Sequence, residues 1–212
     1  MGIVIGAKPD RSFADPLGLL SDCHRRIEKF LETLILIVTD ARSNTTPDGC
    51  FALADDSKHP LEVALKYFRE AAPRHTRDEE ESLFPKLRAS TNGAARAALA
   101  AVDALEADHD RADLGHVEVE RIGQQWLADG RITGGDIDTM QTVLSELQSL
   151  YQAHIVIEDT KIFPMAALVL DEVTIAGVGR EMAERRGINL DTAPDLKLRC
   201  PTQRRKELLN VS

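Results

Sequence analysis

Apolar residues recur along this chain at steps of three and four, the spacing that gathers side chains on one face of an α-helix. The pattern predicts four long helices. The first spans 15–42, with an inward stripe of Leu20, His24, Ile27, Leu31, Leu34 and Val38. Residues 43–60 hold Asn44, Pro47, Asp48, Gly49 and Pro60 and read as a long loop. The second helix is expected over 61–89, with Leu61, Leu65, Phe68, Ala72, His75, Glu79 and Leu83 on its stripe, and a tight turn at 90–93 closes it. The third, 94–128, carries Ala98, Val102, Leu105, His109, Ala112, His116 and Val119. Gly130, Gly134 and Gly135 then break the chain. The fourth, 136–170, carries Met140, Leu144, Leu147, Tyr151, His154, Glu158 and Ile162. A shorter helix at 172–186 ends at Gly187, and a charged tail with Pro194 and Pro201 follows over 188–212. Four long amphipathic helices with mostly short connections imply an all-α fold, an up-down-up-down four-helix bundle. The expected division is an N-terminal segment 1–14, a bundle 15–170, and a short helix with tail over 171–212.

Composition narrows the class. The 212 residues are enough to bury a full core. With 43% hydrophobic and 29% charged residues, the chain reads as globular rather than disordered. Its 26 basic against 35 acidic residues give a net charge of −9, which argues against a nucleic-acid surface. No apolar run approaches the ~20 residues of a spanning helix. The N-terminus lacks the basic flank of a secretory signal, and Gly6 stands where myristoylation wants Ser or Thr. Cys23, Cys50 and Cys200 are odd in number and lack metal-ligand spacing, so a reducing cytoplasm is the expected compartment. Aromatic residues, at 4%, are too few for a sandwich or barrel.

The polar members of the stripes carry the chemistry. Residues 75–85 and 154–164 both read H-x-x-x-E-[ED]-x-x-[LI]-F-P. A weaker repeat, around Asp22–His24 and Asp108–His109, precedes each. The order is therefore H, HxxxE, H, HxxxE, one element per helix, as in a duplicated helix pair. His and Glu four apart share one helical face. At ~1.5 Å per residue, antiparallel packing brings His24 level with Glu79, and His109 level with His154. Four imidazoles and two carboxylates then converge, the kind of set that two metal ions ~3.5–4 Å apart require. A glutamate on an apolar stripe has no other ready explanation, because an unpaired buried carboxylate is heavily penalised.

These motifs resemble those of the hemerythrin-like, or HHE cation-binding, family over roughly residues 15–170. The resemblance implies a four-helix bundle around an oxo- or hydroxo-bridged di-iron centre, with iron ahead of manganese or zinc. It implies His24, His75, Glu79, His109, His154 and Glu158 as ligands, with Glu79 and Glu158 as bridges. It also implies work with O2, NO or peroxide, or a part in iron homeostasis. Oxygen carriers of the family have one more histidine a turn after the third-helix histidine. Asp113 stands there instead, which implies either an extra open position on one iron or a position filled by Asp113 or water. This argues against reversible O2 carriage.

The leading reading is a cytoplasmic non-haem di-iron protein that binds or reacts with O2, NO or peroxide, an oxidoreductase if it turns over. No G-x-G-x-x-G or P-loop is present, so any reductase is a separate protein. The alternatives are an O2-, redox- or iron-sensing module, or an iron storage or delivery protein. Structural zinc fits poorly, since it usually takes four Cys or His ligands. Glu80, Glu81 and Asp159 read as a solvated acidic face, with Asp159 the best placed of them for occasional ligation. Tyr151 and His116 read as core residues and His59 as a loop residue. Cys23 points about 100° around the helix from His24 and reads as inert. Pro85 and Pro164 predict a bend or an end just beyond the site.

Overall fold

Helices dominate the computed structural model, which describes residues 12–43 and 45–190. Cys200, most of the N-terminal segment 1–14 and the tail beyond 190 lie outside the described residues. In chain order the elements are α1 (Pro16–Ala41), β1 (Phe51–Ala52), α2 (Asp55–Glu70), α3 (Ala72–Arg77), a π-helical turn (Asp78–Leu83) and α4 (Phe84–Ala89). There follow α5 (Gly93–Asp129), β2 (Arg131–Ile132), α6 (Gly134–Ile157), a second π-helical turn (Glu158–Ile162), α7 (Phe163–Val169) and α8 (Glu172–Glu184). The fold is all-α, with one two-residue antiparallel ladder between β1 and β2.

The helix starts are written in side chains that satisfy otherwise unpaired amides. Asp15 accepts from the Gly18 amide at 3.1 Å, Asn92 from Ala94 at 2.8 Å, and Asp171 from Thr174 at 2.7 Å. Thr133 Oγ1 accepts from Asp136 at 3.1 Å. Gly130 ends α5 in the left-handed region at φ 68, where a side chain would be strained.

Two expectations need correction. The loop expected over 43–60 is shorter, because α2 begins at Asp55 and contains Pro60. Asp55 and Asp56 in the first turn complement the positive end of the helix dipole, and Pro60 removes only one backbone bond near that end. His59 is therefore helical, though exposed. The helix expected over 61–89 is broken at Ala71, because Pro73 has no amide proton to continue the ladder. The rest of the old loop is pinned by the short ladder and by Trp126, whose indole donates to the Phe51 carbonyl at 3.2 Å.

α1 packs against α2 and α6, and α5 packs against the same two helices. Gly123 lets α5 approach α2 closely, since a Cβ there would meet Leu65 at 2.6 Å. The core falls into two apolar clusters. The larger contains Ile27, Leu31, Leu65, Ala72, Ala112, Trp126, Leu144 and Ile155. The other contains Leu20, Leu83, Phe84, Leu105, Ile162, Phe163, Val178 and Met182. Along every long helical stretch the same switch occurs. His24 sits between Leu20 and Ile27, His75 and Glu79 between Ala72 and Leu83, His109 between Leu105 and Ala112, and Glu158 between Ile155 and Ile162. One polar layer thus divides the core. α8 closes the end beside the second cluster through Val178 and Met182.

Candidate metal centre

The repeated motif builds the same local device twice. His75 ends in α3 and Glu79 in the first π turn, while His154 ends in α6 and Glu158 opens the second. In each turn the backbone bond spans five residues, Phe84 N–H donating to Glu79 and Phe163 N–H to Glu158. The proline that follows each phenylalanine has no N–H, so the ladder can change register there without losing a bond. Pro85 and Pro164 therefore mark a π bulge after which α4 and α7 continue, where the sequence had suggested a bend or an end. Such bulges recur at functional sites.

All six residues implied by the resemblance meet in the polar layer. Their donor atoms form two overlapping groups, His24, His75, Glu79 and Glu158, and Glu79, His109, His154 and Glu158, with the atoms of each group within 4.8 Å of one another. Both glutamates belong to both groups. Glu158 Oε2 is 3.0 Å from the Nε2 atoms of His24 and His154. Glu79 Oε1 is 3.4 Å from His75 Nε2, and its Oε2 is 3.4 Å from His109 Nε2. His109 and His154 point their Nε2 atoms at each other across 3.2 Å. Neighbouring donors on an octahedral ion with bonds of ~2.1 Å lie ~3.0 Å apart, so the spacing matches donors waiting on a common cation.

The electrostatics point the same way. Glu79 and Glu158 have 0% exposure, yet none of their four carboxylate oxygens has a hydrogen-bond partner. Burial without a donor is costly for a carboxylate. Four buried imidazoles around them are the only compensation among the described residues. Burial works against a charged His24, but Asp159, Glu158 and Glu79 override it and lift its pKa to about 11. His109 is likewise raised to about 9 by Glu79 and Glu80 against its burial. His75 goes the other way, since burial outweighs Glu79 and takes it down to about 4. Burial raises the Glu79 carboxyl, but His75, His109 and His24 together bring it well below the usual range.

Sequence reasoning missed the residues that hold the imidazoles. Asp159 is no free surface acid, because its Oδ1 lies 3.0 Å from His24 Nδ1 and accepts from Ser21 Oγ at 2.8 Å, while Arg25 pairs with its Oδ2. Glu80 Oε1 lies 2.8 Å from His109 Nδ1. Asp108 Oδ2 lies 3.5 Å from His154 Nδ1, near enough for charge but not aligned as a hydrogen bond. Such partners fix the tautomer and aim the ring. The signal was present in the acidic residue that directly follows the glutamate in both repeats. Glu81 is exposed and pairs with Arg185 at 3.3 Å.

Asp113 stands exposed and outside both groups. Asp113 has the same four-residue step that joins His75 to Glu79 and His154 to Glu158, but on α5 the buried stripe continues through Ala112 and the Asp113 side of the helix is exposed. The structure does not bring it together with the six. Tyr151 is buried and lines an enclosed cavity of about 10 Å³ with His24, His75, His109 and His154, room for roughly one water-sized molecule. Its hydroxyl lies 2.8 Å from His116 Nε2, and the His116 ring stacks on Phe68. Burial lowers His116 to about 4. The roomier groove of about 720 Å³ between α5 and α6 holds none of the six residues. Cys23 is a buried free thiol whose pKa burial raises.

A helical fold with a buried layer of four histidines and two shared glutamates defines a cation-binding protein. The sequence pattern of the hemerythrin HHE cation binding domain matches residues 15–166, and the chain belongs to that family. No curated protein matches the sequence. No helix among the described residues is long and apolar enough to cross a membrane.

Proposed function

We propose that residues 15–170 form an up-down-up-down bundle that holds two iron ions bridged by Glu79 and Glu158, and that the centre binds or reacts with O2, NO or peroxide. The observation that carries this reading is the pair of wholly buried glutamates, unpartnered at all four oxygens and shared by two imidazole pairs. Iron held in such a site would supply redox chemistry toward a small oxidant.

The chain's own residues divide the remaining work. His24 and His75 would hold one ion and His109 and His154 the other, and the two carboxylates, common to both groups, would offset the charge of both. Asp159 and Glu80 keep the Nδ1 proton on His24 and His109, so their Nε2 lone pairs face inward. The apolar clusters above and below exclude water, and Phe163 stacks on His24 with ring centroids 5.4 Å apart. Asp113 adds no nitrogen donor, which favours reaction over stable O2 carriage. A separate cytoplasmic reductase is the proposed electron source.

Elemental analysis after expression in iron-replete medium tests the reading, with about two irons per chain expected. Spectra of the anaerobically reduced protein should change to a di-ferric form within minutes of admitting air. One tightly held zinc and no iron would overturn the di-iron reading, and reversible deoxy–oxy cycling would restore the oxygen carrier.

A further inference from the structure

The family match ends at residue 166, yet a segment beyond it reaches back to the metal layer. Asp78 immediately precedes Glu79 and has 0% exposure. Two arginines just past α8 close on it. Arg186 Nη2 donates to Asp78 Oδ2 at 2.6 Å and Nη1 to Oδ1 at 3.1 Å. Arg185 also pairs with Oδ1, and it donates to the buried Ser82 Oγ at 2.9 Å. Asp78 and Ser82 lie on either side of Glu79 in the same π turn, so the arginines grip the turn at both ends.

Glu79 needs such a grip from elsewhere. Its own oxygens have no protein donor, so only the backbone of its turn can aim it. The second repeat shows the contrast. Ile157 stands where Asp78 would, packed against the second apolar cluster, and Lys161 stands where Ser82 would. The second turn has an apolar anchor at Ile157 where the first has Asp78, and its own charged tie runs from Asp159 to Arg25 and Ser21 on α1, whereas the first turn is tied to the residues after α8. The guanidinium fork suits this task, because two parallel bonds fix orientation as well as position.

We propose that Arg185 and Arg186 are positioning residues for the metal centre, holding through Asp78 and Ser82 the π turn that aims Glu79. The proposal rests on the reading of Glu79 as a metal ligand. It makes α8 and the two residues after it part of the site's machinery rather than a cover for the bundle end.

The test compares the full chain with the Arg185→Ala/Arg186→Ala double variant, Arg185→Lys/Arg186→Lys, Asp78→Asn and Glu184→Gln. Each is loaded with ferrous iron under anaerobic conditions. The readouts are iron per chain, the rate of iron loss to a colorimetric chelator, and the thermal midpoint of the metal-free protein. The double alanine variant should lose iron about tenfold faster, the size of effect seen when partners that orient metal ligands are removed. Asp78→Asn should lose it several-fold faster, and the lysine variant should fall between wild type and alanine, since lysine restores charge without the fork. Glu184→Gln changes an exposed residue of α8 outside the clamp and should release iron at the wild-type rate. If the alanine variant fails to fold, the lysine and Asp78→Asn variants carry the same comparison. A lowered metal-free midpoint with unchanged iron release in these variants would overturn the positioning role. A wild-type chain that takes up no ferrous iron would overturn the ligand reading and the proposal with it.

Discussion

The two halves of the polar layer carry the same residue types but are supported differently. His24 and His109, the single histidines, each rest on the acid that follows the other repeat's glutamate, Asp159 at 3.0 Å and Glu80 at 2.8 Å. The HxxxE histidines diverge. His154 has Asp108 near its outer nitrogen, whereas His75 has no partner there, and the residue matching Asp108 in the repeat is Cys23. The turns diverge too, with Asp78 clamped by arginines and Ile157 packed in apolar surroundings. The two repeats keep the same inward-facing histidine and glutamate while the residues that support them differ.

The sharpest way to break the comparison is to remove what both halves share. Glu158→Ala or Glu79→Ala should abolish metal uptake altogether, because each carboxylate belongs to both groups. His75→Ala and His109→Ala each strip one half, and elemental analysis should fall from about two irons toward one. Metal loss should also lower the thermal midpoint, since binding energy is coupled to folding.

A smaller effect follows from the supports. Asp159→Ala and Glu80→Ala should each weaken metal affinity by roughly 10- to 100-fold, read by competition with a chelator. Asp108→Ala should cost less, because its carboxylate stands 3.5 Å from His154 and is not aligned as a hydrogen bond. Equal losses from all three would erase the distinction between the halves.

Acid should act on the metal-free protein through His116, which lies outside both groups. Its folded pKa is about 4, below the ordinary 6.5, so the unfolded chain binds this proton first as pH falls. This contribution to stability is therefore present above pH 6.5 and is lost between pH 6.5 and 4. His116→Phe keeps an aromatic ring against Phe68 but loses the Tyr151 hydrogen bond, costing about 1 kcal/mol at pH 7. In urea unfolding at pH 5 that deficit should shrink or reverse. The smallest effect belongs to Asp113→Ala, which should leave metal content and autoxidation unchanged, because the side chain is exposed beside the α5 stripe.

Much of this molecule was legible along the chain. Helical period, capping residues and the duplicated HxxxE…FP element are local, set by contacts three and four residues apart, and they identified the long helical stretches and the six converging residues. Pro73 was equally local and should have foretold the break at Ala71. Other features needed the folded chain. Asp159 and Glu80 had the composition of a solvated face, and only packing brought them to histidines 135 and 29 residues away. Asp113 has the same four-residue spacing as the two HxxxE pairs, and only the direction in which α5 faces its neighbours leaves it exposed. The clamp from Arg185 to Asp78 spans 107 residues, and nothing in either segment names its partner. A period reports which side chains share a face. Which charges meet across faces depends on how the helices dock, and that is a property of the whole chain.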